Sequence, residues 1–417
     1  MLTSLLTARI EKGSNPRLAT SPPISTPKTA KNEPLALHGK RIVFLFEVLI
    51  LGGAERQGLL LAKHLKENEG AEVEVWGFVH PESAAALCEE YGIPWRIVPH
   101  PWKGGRFKIV RSLARLTWVL RRAKPDILLP YVIQTNIACG LTWRLTGAKF
   151  CLWNQRDAGI NPLGLNLARR AARHIRLFAA NSPSSMDYLV NELQVQPHRI
   201  TLINNGVVLR PPEADRAAWR KRLGLSPDDL AACMVANIHG NKDHATLIRA
   251  WREVVDRSPP TIRPPILLLA GYPYQISDVL KLTCDLGLNR VVHFLGPVRD
   301  ISGLLNAVDL GVFSSLAEGC PNGVLEGMAS GLAVAATDIP GIRHAVGPEG
   351  REFLAPAGDA SALAKHILAL VKNPELRSRM GAINRHRIET EFSPRQMCEK
   401  MTGLIVAGLN RSLSPTP

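Results

Sequence analysis

Cysteine pairs of the CxxC kind are missing from this chain of 417 residues, and so is any His/Cys cluster at zinc spacing. The seven cysteines, at 88, 139, 151, 233, 284, 320 and 398, are scattered and odd in number. That pattern argues against a disulfide-stapled or zinc-built fold and sets the expectation of a reduced, cytoplasmic chain. No apolar run approaches the ~18 residues of a membrane span, and the amino terminus meets Arg9, Glu11 and Lys12 before a signal-peptide core could form. Aromatic residues are only 6% of the chain, and no nucleic-acid module or aromatic platform accompanies its positive charge. Nucleic acid is therefore not an expected partner. Acidic residues are in deficit: 36 Asp and Glu stand against 51 Lys and Arg, a net charge of +15. A surplus of that size turns attention to phosphate, on a membrane surface or on a ligand.

What is present is an ordinary globular composition, 46% hydrophobic and 21% charged, at a length that expects two domains. Residues 1–38 are poor in large apolar side chains beyond residue 13 and read as a disordered tail. At Arg41 a β-rich run, RIVFLF, leads through a Gly-Gly turn into a helical pattern. AEVEVWGFV, ILLPYVI, KFCLWN and RLFAANS read as further strands, with helices over 83–91, 106–123, 134–147 and 163–175, and RITLINNGV closes the series at 199–207. Strands alternating with helices imply a parallel sheet covered on both faces. A second alternation, AACMVANI, ILLLAGY, VVHFLG, DLGVFSS and LAVAATD, follows a Pro- and charge-containing stretch. The expected division is 39–207 for a first doubly wound domain, 208–225 for a linker, 226–393 for a second doubly wound domain, and 394–417 for a helix packing back toward the first domain.

The densest chemistry lies in SSLAEGCPNGVLEGMASGLAVAATDIPG, residues 314–341. A strand runs into a Gly/Pro loop there, and a helix starts near Pro321 or Asn322. Glu318 lies ahead of that start and Glu326 about one turn inside it. The backbone N–H groups of Gly319, Cys320, Asn322 and Gly323 would point out of the helix start, where unsatisfied donors and the helix dipole suit an anion. The two carboxylates suit vicinal sugar hydroxyls, from which a carboxylate accepts paired hydrogen bonds. A nucleotide sugar presents both demands.

The segment EGCPNGVLEGMASGLAVAAT resembles the Glu-(seven residues)-Glu signature of retaining glycosyltransferases, EGxPNxxLEAMAxGxPVVAT. Supporting pieces are LGGAER (51–56), INNGV (203–207), VANIHGNKDHATLIRAW (235–251), LLLAGY (267–272) and VHFLGPVRDI (292–301). On these the chain is identified as a member of glycosyltransferase family 4, over roughly residues 40–410. The resemblance implies an α/β GT-B fold, two tandem Rossmann-like doubly wound domains facing a cleft. It also implies retaining transfer from a nucleotide-diphosphate sugar, with neither metal nor cofactor. Glu318 would orient sugar hydroxyls and Lys242 would neutralise the leaving diphosphate. The donor would further meet Gly52, Gly53, Asn237, His239, Gly319, Cys320, Pro321, Asn322, Gly323, Val324 and Glu326, with Glu326 on the ribose hydroxyls. Arg156 and Asn205 are candidates for acceptor or phosphate.

Two departures from the family pattern stand out. The arginine that commonly precedes the lysine is replaced by a segment with Asn237 and His239. The first-domain loop CLWNQRDAGIN (151–161) carries Arg156 and Asp157 and no histidine. A non-catalytic nucleotide-sugar binder or scaffold, or an epimerase of similar fold, are the competing readings. Residues 101–180 hold fifteen Lys/Arg and two acids, so nearly all the surplus charge lies in the first domain. The stretch 103–124 reads as a basic amphipathic helix suited to an anionic membrane surface or a lipid-linked acceptor. A glycan or lipid-linked acceptor, in polysaccharide or surface-glycan assembly at the inner face of the cell membrane, is the resulting expectation.

Overall fold

The computed structural model describes residues 35–79, 83–100, 102, 105–159, 163–258 and 263–413. The expected tail falls outside these apart from 35–38, and there the expectation fails. Leu37 is fully buried in the first domain's core. One leucine with an apolar surface to cover outweighs the polar character of the residues before it.

Two parallel sheets carry the architecture. In the first, β1 (Arg41–Phe46), β2 (Glu72–Gly77), β3 (Trp95–Ile97), β4 (Ile127–Pro130), β5 (Phe150–Gln155), β6 (Leu177–Ala180) and β7 (Ile200–Leu202) stand in the order β3-β2-β1-β4-β5-β6-β7. In the second, β8 (Ala231–Val235), β9 (Ile266–Ala270), β10 (Val292–Gly296), β11 (Leu310–Phe313), β12 (Ala333–Asp338) and β13 (Leu354–Pro356) stand in the order β10-β9-β8-β11-β12-β13. Along β1, Ile42, Phe44 and Phe46 enter one core while Val43 and Leu45 enter the other. Along β8, Ala232 and Met234 part from Ala231 and Cys233 in the same way. Apolar side chains on both faces of a strand are what a sheet covered by helices on both sides demands. The strands absent from the sequence reading, β3 and β13, are three residues each, too short for any periodicity to register.

The expected linker 208–225 is a linker only in its first half. Its second half forms the helix Arg216–Arg222, capped by the Asp215 carboxylate on the Ala218 N–H. This helix belongs to the second domain: Trp219 Nε1 donates to Asp300 Oδ2 at 2.9 Å, and the buried Arg220 donates to the carbonyls of Ala307 and Ser226 at 2.8 and 2.7 Å. Its charges looked like solvated linker charges because the carbonyls and Asp309 that receive them lie far along the chain. The last helix, Pro394–Leu413, places Met397, Cys398, Met401, Ile405 and Leu409 in the first domain's core. Its Gly408 backbone comes so near the Phe150 ring that a Cβ would lie 2.2 Å from it.

Each sheet reverses its strand order next to its first strand, between β1 and β4 and between β8 and β11. Loops leaving the carboxyl ends of such strand pairs form the crevice in which doubly wound sheets bind ligands. Gly52 and Gly53 follow β1, Asn237 to Lys242 follow β8, and Glu318 to Gly323 follow β11. Topology alone therefore brings the separated motifs to one place.

Candidate functional site

The loops from both domains border a single cleft of about 610 Å3. Its second-domain wall centres on the helix Asn322–Ala329, whose N-cap residue is Pro321 and whose first turn receives no side-chain cap. The N–H groups of that turn are thus left for something in the cleft. Glu326 lies one turn inside the helix, and Glu318 in the loop before it, as the sequence led one to expect. Gly323 packs against the end of β8 so closely that a Cβ would come 2.1 Å from the Val235 carbonyl oxygen. At Gly319 a Cβ would come 2.7 Å from the Arg156 carbonyl oxygen, which belongs to the first domain.

Both carboxylates are paired with cations. Lys242 Nζ donates to Glu318 Oε1, which also accepts from Ser315 Oγ at 3.0 Å. Arg56 of the first domain donates to Glu326 Oε1 at 3.2 Å. Burial pushes the Glu326 carboxyl above its ordinary range, and the Arg56 charge pulls it part of the way back. His239 also lines the cleft, but burial and then the neighbouring Lys242 hold its pKa below the usual value, so the ring is mostly uncharged at neutral pH. The positive charge on this wall therefore resides on Lys242. Asn237 is tied down through Oδ1, which accepts the Tyr272 N–H at 3.0 Å.

From the first domain come Gly52, Gly53, Arg156 and Asn205. Arg156 Nη1 donates to Asn205 Oδ1 at 3.3 Å, and Asn205 Nδ2 donates to Asn322 Oδ1 at 2.9 Å. This relay crosses from the first domain to the start of the helix Asn322–Ala329 in the second. The guanidinium also lies 4.8 Å from the centre of the buried Tyr131 ring, a cation–π distance.

Of the fifteen expected donor, catalytic and acceptor positions, thirteen line the cleft and two, Pro321 and Val324, do not. Val324 is buried in the second domain's core and does not reach the cleft, because the helical turn that presents Asn322 and Glu326 outward turns Val324 inward. Pro321 is also outside the cleft lining and serves as the helix N-cap. Cys320 lines the cleft, and burial pushes its thiol up to about 12, which keeps it neutral.

Two family models match the chain: "Glycosyltransferase Family 4" over residues 51–210 and "Glycosyl transferases group 1" over residues 230–373. The chain belongs to glycosyltransferase family 4. Among curated relatives, this family 4 chain is 31% identical over 188 residues to the putative glycosyltransferase EpsD of Bacillus subtilis (strain 168), covering 45% of this chain and 48% of that one. It is 23% identical over 311 residues to an Escherichia coli UDP-Gal:alpha-D-GlcNAc-diphosphoundecaprenol alpha-1,3-galactosyltransferase, covering 72% and 80%. The match spans about half the length of several curated relatives. Among solved structures, Anabaena HepE in complex with UDP and glucose superposes with a TM-score of 0.76 at 19% identity, covering 88% of this chain and 99% of that one. That likeness speaks to the fold.

Sequence reasoning on this family 4 chain missed Arg56 and Gln57. Gln57 is buried and exchanges two 2.8 Å hydrogen bonds with the Gly206 backbone, fixing the segment that carries Asn205. The signal was available, since Gly53, Arg56 and Gln57 stand at i, i+3 and i+4 on one face of the helix Gly53–Glu67.

Glu55, between them, is buried, and burial raises its carboxyl to about 7 despite hydrogen bonds from its own and the Gly52 N–H. Folded chains then keep this proton until about pH 7, whereas unfolded chains release it near pH 4.5. The stabilisation is present below pH 4.5 and is lost as the pH rises through 7. The stability of the wild type relative to Glu55→Gln should thus fall by up to about 3 kcal/mol between pH 4.5 and 7.5. Denaturant melts across that window check it, and a constant difference would contradict it.

Proposed function

We propose that the chain is a retaining, metal-independent glycosyltransferase that moves a hexose or N-acetylhexosamine from a nucleotide-diphosphate sugar to a glycan or lipid-linked acceptor. The observation that carries this reading is the convergence, at the switch point of the second sheet, of an uncapped helix N-terminus, Lys242 and two carboxylates in one cleft. The helix start and Lys242 suit the diphosphate and the charge that grows on it as it leaves. Glu326, one turn along, suits ribose hydroxyls, and Glu318 suits hydroxyls of the transferred sugar. Gly52 and Gly53 let the first-domain backbone approach without a side chain intervening, the Gly52 N–H itself being held by the Ile50 carbonyl oxygen at 2.9 Å. The Gly53 backbone lies against the Asn322 side chain, where a Cβ would be 2.7 Å from Nδ2. The acceptor hydroxyl attacks the anomeric carbon from the face the diphosphate leaves, and a departing phosphate oxygen takes its proton. Acceptor specificity falls to the first domain, on the Arg156 and Asn205 side.

A lipid-linked acceptor is favoured by the helix Arg106–Ala123 together with the E. coli relative, whose name specifies a diphosphoundecaprenol acceptor. Leu116 and Leu120 of this helix are buried in the core, while Phe107, Val110 and Trp118 are 80%, 63% and 56% exposed. Steps of three and eight residues put those three side chains on one outward stripe. Lys108, Arg111, Arg115 and Arg122 flank it, all exposed, with Arg122 stacked 4.4 Å from the Trp118 ring. An outward apolar stripe edged with cations suits the surface of an anionic bilayer. Among the described residues no helix is long and apolar enough to cross a membrane, so the proposed attachment is peripheral, at the inner face of the cell membrane. Residues 103 and 104 of the expected helix lie outside the described residues.

UDP, GDP or ADP should raise the melting temperature, and the matching nucleotide sugar should be slowly hydrolysed with EDTA present. Lys242→Ala and Glu326→Ala should each lower that turnover by about tenfold or more. No thermal shift with any nucleotide, or full turnover in both variants, would overturn the donor reading.

Vesicles containing anionic lipid should co-sediment the protein and neutral vesicles should not. Added salt, or the double change Phe107→Ser and Trp118→Ser, should release it. Sedimentation indifferent to lipid charge and to salt would reject the membrane surface.

A further inference from the structure

The strongly charged groups lining the cleft balance one another. Arg56, Arg156 and Lys242 supply the strong cations, and Asp157, Glu318 and Glu326 the carboxylates. A diphosphate entering this space carries at least two negative charges, so cations have to be released from the partners they now hold. Lys242 is held by Glu318, and both belong to the second domain. Arg56 is held by Glu326, across the cleft from its own domain, by a single 3.2 Å contact. Arg156 donates to Asn205 from one nitrogen and lies over the Tyr131 ring, while its Nε and Nη2 are buried without a hydrogen-bond partner among the described residues, and it is not paired with either glutamate.

The two helices that meet here run past one another in register. Gly53, at the start of its helix, abuts Asn322 at the start of the other. One turn along, Arg56 meets Glu326. A turn advances about 5.4 Å, so the guanidinium sits within a side-chain swing of the uncapped N-terminus. Arg56 is free to make that swing, since 43% of its side chain is exposed while Glu326 is mostly enclosed.

We propose that Arg56 is a second donor-diphosphate cation, exchanged from Glu326 onto the phosphates when the ribose hydroxyls take its place on that carboxylate. The proposal rests on the donor reading above and deepens it. The exchange leaves neither group without a partner: Glu326 passes from a guanidinium to hydroxyl donors, and Arg56 from a carboxylate to a phosphate. It also supplies a cation at a cleft where His239 is largely uncharged. Since Arg56 comes from the first domain, the diphosphate is then contacted from both domains. Arginine suits this task better than lysine because its planar fork meets carboxylate and phosphate oxygens in the same geometry.

Calorimetry tests it with UDP, GDP and ADP and the corresponding monophosphates, on the wild type, Arg56→Ala and Arg56→Lys. The expected result is that Arg56→Ala weakens the bound diphosphate by about tenfold or more and the monophosphate by less than about threefold, with Arg56→Lys between wild type and Ala for the diphosphate. Equal losses for diphosphate and monophosphate, or no loss for either, would overturn the exchange and leave Arg56 as an interdomain contact only. Failure of the wild type to bind any of the three diphosphates would overturn the donor reading, and this assignment with it. A melting temperature for nucleotide-free Arg56→Ala within a few degrees of the wild type shows that the losses come from the cleft; a collapsed Arg56→Ala with full diphosphate affinity in Arg56→Gln overturns the assignment.

Discussion

A methyl group at Gly323 would collide with the Val235 carbonyl oxygen at the end of β8, and one at Gly319 with the Arg156 carbonyl oxygen in the other domain. These two approaches hold the loop after β11 in place. Backbone presses on backbone there, with no flexible side chain to give way. The Asn322 helix consequently starts at the switch point of the second sheet with its first N–H groups facing the cleft, and both glutamates are fixed relative to that start. Asn205, pinned by Gln57 through Gly206, reaches Asn322 from the first domain. The geometry of the site depends on this contact between a helix start and the loops around it.

Electrostatics follow from that placement. An uncapped helix start favours anions, yet Glu318 and Glu326 stand beside it, and each is paired with a cation. The site is poised for a ligand that brings negative phosphate and neutral hydroxyls together, because such a ligand separates the ion pairs and satisfies both halves. A simple anion would meet two carboxylates, and a simple sugar would leave Lys242 and the helix N–H groups without a partner. This pairing of demands is the physical reason for favouring a nucleotide sugar over either component alone. On the opposite side of the first domain's sheet, the Arg106 helix uses one stripe for the core and leaves another apolar stripe outside, edged by much of the chain's surplus charge.

Much of this was legible in the amino-acid sequence, for reasons that particular residues make clear. The buried strands announced themselves because both faces of β1 and β8 are apolar, and the Glu318 to Glu326 spacing carries its geometry in a short run of loop and helix. Arg220 and Arg216 were misread as solvated linker charges because Ala307, Ser226 and Asp309 become their neighbours only on folding. Val324 was misplaced by treating a contiguous motif as a contiguous surface, although a helix sends neighbouring side chains in different directions. Arg56 escaped attention since its significance lies in a residue 270 positions away. Leu37 needed the folded core to reveal that it was not part of a tail. Contacts between domains are where a one-dimensional reading runs out, and they hold the cleft together.

The central claim is that the diphosphate of the donor sits at the start of the Asn322 helix. A crystal structure with whichever of UDP, GDP and ADP binds tightest tests it most directly. The account expects the phosphates within hydrogen-bond reach of the N–H groups around Asn322 and Gly323 and of Lys242 Nζ, with the ribose hydroxyls on Glu326. A nucleotide bound elsewhere, or one whose phosphates point away from that helix, would contradict it.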